Sequence, residues 1–225
     1  MPNHVSSICT ISGPIAEVRR FVSAVVSADS NFYFNALVPM PAELRHTRSP
    51  VLIQTQAEID ALWAEYNHKR DAGTLEPWQI VEGKPFNLGI TQEANDALRA
   101  KYGASNWYDW ALNEWGTKWG AYDAGEWDIN EAGDGIGVAT ISYNTAWSPA
   151  NAFYENVSEQ FPTLIFETQY ADEGGGFVCE TCYQDGEVIE DTSYGWDSGE
   201  GIAVREAVGY GPDPDEQMED EAADA

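Results

Sequence analysis

Basic residues are scarce: 11 Lys and Arg stand against 38 Asp and Glu in 225 residues, a formal net charge of −27. Proteins that grip nucleic acid directly do so by clustering Lys and Arg on phosphates, so direct nucleic-acid binding is not expected. The same deficit disfavours an anionic membrane. Cysteine is scarce as well. Cys9, Cys179 and Cys182 are an odd number in a long chain and do not read as a secreted disulfide framework. No stretch holds the roughly 18 consecutive apolar residues that a transmembrane helix needs. The start, MPNHVSSICTISG, has neither a basic n-region nor a long apolar core and is not read as a signal peptide. The expectation is a soluble cytoplasmic protein with no membrane partner.

Motifs for metals, cofactors and catalysis are missing too. Cys179-Glu-Thr-Cys182 is a lone CxxC, whereas structural zinc needs four ligands, and His4, His46 and His68 all lie far upstream. On a strand, positions i and i+3 point to opposite faces, so the two thiols do not converge. Asp128-Ile-Asn130-Glu-Ala132-Gly133 approaches a calcium loop but has Ala132 at a ligand position and Ala139 where the bidentate Glu belongs. Gly133-Asp-Gly135-Ile-Gly137 lacks the Lys-Ser/Thr of a phosphate loop and precedes a strand. No nucleophile elbow is present. No catalytic residue, metal ligand or cofactor is assigned, and a non-enzymatic role is favoured.

Aromatic residues, in contrast, are plentiful: nine Trp, eleven Tyr and eight Phe, with a hydrophobic fraction of 43%. Disordered chains are poor in such residues, so the body folds. Trp107, Trp110, Trp115 and Trp119 crowd into NWYDWALNEWGTKW, and Trp147 follows in TAWSP. Two readings stand. Trp107, Trp110, Trp119 and Trp147 pack together as core, with Trp115 and Trp127 more exposed. Alternatively Trp107, Trp110, Trp119 and Trp147 form an aromatic pocket for a planar ligand such as a nucleotide, with Lys118 as the nearby cation.

Periodicity sets the elements. VSSICTIS (5–12) alternates as a strand, and IAEVRRFVSAVVS follows with Ile15, Val18, Phe21, Val22, Val25 and Val26 at helical spacing. Phe32 to Val38 reads as a strand ended by Pro39 and Pro41. Ile59, Leu62, Trp63 and Tyr66 mark an amphipathic helix ended by Gly73. EPWQIVEGKPFNLG reads as irregular. Thr91 caps a short helix closed by Gly103, the tryptophan stretch gives a further turn or two stopped by Gly116, and TKWGAYDA reads as a strand. Gly137 to Trp147 is a strong strand. Ser148 and Pro149 then start a helix to about Gln160. TLIFETQYADE, FVCETCYQDG and EVIEDTSYG form an antiparallel meander. The fold class is α+β, a mostly antiparallel sheet with helices on one face. It occupies 1–211 with a helical insertion at about 45–105, and 212–225 reads as a disordered acidic tail.

The charge is uneven. From residue 151 on there are twenty acidic residues and one base, Arg205, so −19 of the −27 lies there and the first 150 residues carry the other −8. Salt adaptation also yields acidic, Lys-poor chains, but the high Trp content is not part of that signature.

In sequence order, MPNHV, VPMP (38–41), NWYDW, WGTKW, TAWSP and FPTLIFETQYADEGGGF make the chain resemble the YubB-type ferredoxin-like proteins of phages and conjugative plasmids, from Met1 to about Phe177. The resemblance implies a ferredoxin-like sandwich with inserted helices, carried on a mobile element, and transfers no catalytic residue. An acidic protein in that niche can present carboxylates where a DNA-binding protein expects phosphates. The expected role is inhibition of a host CRISPR or restriction complex through Glu180, Asp185, Glu187, Glu190, Asp191, Asp197 and Glu200. The alternative is a small-nucleotide-binding module built on the tryptophans.

Overall fold

The computed structural model describes residues 3–81 and 83–211. In chain order the elements are β1 (His4–Pro14), α1 (Ile15–Val25), a 3-10 turn (Phe34–Ala36), α2 (Gln56–Asp71), a second 3-10 turn (Pro77–Gln79), β2 (Ile80–Val81) and β3 (Lys84–Pro85). There follow α3 (Gln92–Tyr102), α4 (Trp107–Glu114), β4 (Asp128–Gly133), β5 (Ile136–Ala146), α5 (Asn151–Gln160), β6 (Ile165–Asp172), β7 (Val178–Gln184), β8 (Glu187–Ser193) and α6 (Gly199–Ala207). The chain divides into two compact units, a larger one of Met1–Pro39 with Glu114–Ala225 and a smaller one of Met40–Asn113. The expected disordered tail at 212–225 lies outside the described residues.

The larger unit is a six-stranded antiparallel sheet in the order β4-β5-β1-β6-β7-β8, a ferredoxin-like α+β fold. Alternation in β1 buries Val5, Ser7, Cys9 and Ile11, and α1 turns Val18, Phe21, Val22 and Val25 inward. The core is strongly aromatic. Phe34 stacks on Phe153 with ring centroids 3.9 Å apart, Phe32 meets Tyr143 and Trp127 edge-on, and Phe21 meets Phe161 and Phe166. Burying each such ring contributes about 1.5–3 kcal/mol. The hydroxyls of Tyr143 and Tyr154 lie 2.8 Å apart, which meets the need of a buried polar group for a partner. Gly116, at φ 79, closes α4, and an added Cβ would lie 3.0 Å from the Pro149 carbonyl oxygen.

Several expectations need correction. Phe32 to Val38 is not a strand. Tyr33 N–H donates to Val25 O, and Leu37 and Val38 N–H both donate to Phe34 O, so the backbone satisfies itself locally while Phe32 and Phe34 point inward. TKWGAYDA makes only one bridge, Tyr122 with Asn144; left-handed Asp123 (φ 49) interrupts the pairing, although Gly125 N–H still donates to Ser142 O at 2.9 Å. Asp128–Gly133, read from sequence as a failed calcium loop, is strand β4. All six residues are exposed, so no alternation betrays it. Ser148 does not cap α5; its hydroxyl donates to Gly116 O, and the helix begins at Asn151. A sixth helix, α6, capped by Ser198, was not anticipated. Its Val204 packs on Ala171 and Val178, the sheet face opposite to buried Tyr170, Thr181 and Tyr183.

The smaller unit is helical. α2 begins with a full capping box, the Thr55 hydroxyl accepting from Glu58 N–H while the Glu58 carboxylate accepts from Thr55 N–H. Its apolar stripe of Ile59, Leu62, Trp63 and Tyr66 is half-buried. EPWQIVEGKPFNLG holds the small β2–β3 pair rather than being wholly irregular. α3 is capped by Thr91 and closed by Gly103 at φ 73, as its sequence predicts.

Candidate functional site

The carboxylates singled out in sequence fall on β7, β8 and α6 of the larger unit. Antiparallel register places Glu167, Cys182 and Glu190 in one row across β6, β7 and β8, and Gln169, Glu180 and Thr192 in the next. Both rows lie on the sheet face away from buried Thr168, Thr181 and Tyr183. Glu187 pairs with Gln184 on that same face. Asp185 sits in the β7–β8 turn at φ 51, Asp197 precedes α6, and Glu200 is in its first turn. Six of the seven are exposed; Glu180 is half-buried. The seven do not form one surface. Asp191 lies on the opposite face, with buried Thr181, whose hydroxyl donates to it at 2.8 Å. Glu180 accepts from Gln169 and from the Tyr194 hydroxyl at 2.6 Å, a bond that helps push the Tyr194 phenol up to about 12.

The larger unit has few cations to answer these acids. Arg19 pairs with Glu131 and Arg20 with Glu17, while Arg205 lies over the Trp196 ring at 4.6 Å. Among the described residues, no carboxylate from 151 onward forms an ion pair.

The tryptophans divide. Trp107 and Trp110 belong to the smaller unit, Trp115, Trp119 and Trp147 to the larger. Trp110 and Trp115 are buried, and Trp115 Nε1 donates to Val38 O at 3.0 Å, so the expectation of an exposed Trp115 is overturned. Trp127 is half-buried, its Nε1 donating to Asn31 O at 2.8 Å. Trp119 and Trp147 are not core, with 41% and 46% of their surface exposed. Lys118 Nζ lies 4.4 Å from the centroid of each ring. Trp147 is held at φ 68 with its N–H donating to Asn3 O, which turns the ring out at the end of β5.

Trp119 also lines a cleft of about 1130 Å³ with His4, Tyr33 and Tyr122. The Tyr122 hydroxyl donates to Thr145 O at 3.0 Å and meets His4 Nδ1 at 2.8 Å. A hydroxyl has one proton and the carbonyl only accepts, so Nδ1 of His4 carries the hydrogen of this pair. Sequence reasoning did not find this group, since His4 and Tyr122 are joined only by the fold.

Among the described residues no three His, Cys, Asp or Glu side chains gather as a metal site. Cys9 is fully buried, and burial pushes its thiol up to about 12. Among the described residues no helix is long and apolar enough to cross a membrane.

Residues 114–220 match the model of a family described as "Ferredoxin-like domain in Api92-like protein". No curated protein matches the sequence. Among solved structures, protein api92 from Yersinia pseudotuberculosis is similar at a TM-score of 0.46 and 9% identity, over 87% of this chain and 99% of that one.

Proposed function

We propose that the protein acts by contact, setting the carboxylates of β6–β8 and α6 against a basic protein surface that otherwise takes nucleic acid. The observation behind the reading is the sheet face beside α6, where Glu167, Glu180, Glu187 and Glu190 lie with no Lys or Arg paired to them among the described residues. Carboxylates kept unpaired maintain a field that steers a basic partner and rejects acidic ones. If the chain is carried on a phage or plasmid, as the resemblance implies, the partner is a host CRISPR or restriction complex in the cytoplasm, and the outcome is its inhibition. Glu187, Glu190, Asp197 and Glu200 are the contact residues to test, because Glu180 and Asp191 also make hydrogen bonds within the fold. Neutralising those four together (Glu187→Gln, Glu190→Gln, Asp197→Asn, Glu200→Gln) is expected to abolish capture of a basic nucleic-acid-binding complex from bacterial lysate. Capture that survives the fourfold change refutes the reading.

A further inference from the structure

The smaller unit is much nearer charge balance than the rest of the chain. Seven of the eleven Lys and Arg fall within Met40–Asn113, against ten acids, so this segment carries only −3 of the −27. Three of the seven, Arg45, Arg48 and Lys84, line a cavity of about 620 Å³. Its one acid among the described lining residues is Glu43, and that carboxylate is already engaged. It accepts from the Tyr102 hydroxyl at 2.7 Å and from Lys101 Nζ at 3.0 Å, which together with its backbone hold it down to about 2.

None of the three cavity cations forms an ion pair among the described residues. Among the described residues Arg45 donates from Nε to Met40 O at 3.2 Å, and the Arg48 guanidinium stands 5.9 Å from the Phe86 ring centroid. Cations left unpaired in a chain with 38 acids hold a site open for an anion that is not part of the chain. The lining also holds His46, Thr47 and Ser49, and its apolar and aromatic part includes Leu52, Ile90 and Trp107. Trp107 is fixed at the start of α4, where its N–H donates to the Thr47 hydroxyl at 2.9 Å. Ser105 also lines the cavity. Its hydroxyl is fully buried without a hydrogen-bond partner among the described residues, the state that a ligand oxygen or nitrogen would relieve.

We infer that this cavity binds a small organic anion with a flat ring, of the nucleoside monophosphate class. The cations supply the site for phosphate, Trp107 and Phe86 supply faces for a base, and Ser105 supplies one polar contact. The volume lies within the roughly 300–1,000 Å³ usual for small-molecule sites, larger than a bare ion needs. The −27 net charge of the chain repels a long polyanion far more than a single phosphate, which argues for a mononucleotide and against a nucleic-acid strand. The inference does not rest on the contact role of β6–β8, and the residues involved are separate.

Calorimetric titration of the full chain with AMP, GMP, CMP and UMP, and with adenosine and inorganic phosphate as separate arms, tests it. At least one nucleoside monophosphate is expected to bind at least about tenfold more tightly than either fragment, because the charge and the ring are recognised together. Arg48→Gln and Lys84→Gln change exposed side chains. Each is expected to weaken that binding about tenfold with the melting temperature unchanged. Trp107→Leu is expected to weaken the nucleotide and leave inorganic phosphate as it was. Absence of binding by all four nucleotides up to about 1 mM overturns the inference. So does binding indifferent to both cation variants, or phosphate alone binding as well as the nucleotides. Lysate capture by the Arg48→Gln variant is expected to stay as in the wild type, so loss of nucleotide and loss of partner are read apart.

Discussion

The two units spend charge in opposite ways. The larger holds 28 of the 38 acids and four of the eleven bases, and its cations are taken up by Glu17, Glu131 and aromatic rings. The smaller holds ten acids and seven bases, and three of those bases stand around one cavity with no ion pair among the described residues. A net charge therefore excludes partners only for the surface that carries it. The −27 argues against a long nucleic-acid strand, yet a pocket lined by Arg45, Arg48 and Lys84 can still take a small anion. The units also differ in what holds them. The larger is built on interlocked buried rings, whereas α2 of the smaller has no buried residue and relies on its caps and a half-buried stripe.

That second contrast predicts unequal responses to mutation. Phe153→Ala removes the ring stacked on Phe34 and is expected to destabilise the larger unit by about 3–5 kcal/mol, read by urea unfolding. A loss below about 1 kcal/mol would show that the aromatic core is not what holds the sheet and its helices together. Tyr154→Phe deletes one partner of the Tyr143 hydroxyl and is expected to cost about 1–3 kcal/mol. Thr55→Ala opens the capping box of α2 and is expected to cost about 1 kcal/mol, seen as loss of helical signal from the smaller unit.

Alkali should separate the units as well. Burial pushes the Tyr143, Tyr154 and Tyr183 hydroxyls well above their ordinary value of 10. Protons held more tightly in the folded state stabilise it fully below the unfolded value. That contribution is lost as pH rises above 10, where the unfolded chain ionises first. Near-ultraviolet tyrosinate absorbance is expected to rise in two stages, exposed phenols first and the buried ones, Tyr170 among them, only with unfolding; a single stage would contradict the buried assignment. The smallest effect concerns thiols. Cys9 is expected to resist alkylation at neutral pH until the chain unfolds, while Cys179 and Cys182, both partly exposed, label earlier.

Much of the larger unit was legible because its elements bury one face. β1, α1 and β5 to β7 announce themselves by period, exposed β8 only by the turn at Gly186 before it, and Thr91 and Gly103 mark α3. β4 was not legible, since a wholly exposed edge strand is defined by its partner and carries no pattern of its own. Phe32 and Phe34 mimic strand alternation while the backbone between them coils, because burying two rings constrains side chains and not hydrogen bonding. Spacing along the chain brought four tryptophans into one motif, yet the fold shares them between two units. Arg45, Arg48 and Lys84 share no motif, so only the structure could gather them.

The central claim concerns the anionic sheet face. The most direct measurement is the affinity of the purified chain for the basic complex it captures, followed across salt for the wild type and for the fourfold neutralised variant. Affinity that falls steeply with salt, and a variant that has lost both the affinity and the salt dependence, is the predicted result. Equal affinity for the two proteins, flat with salt, would contradict it.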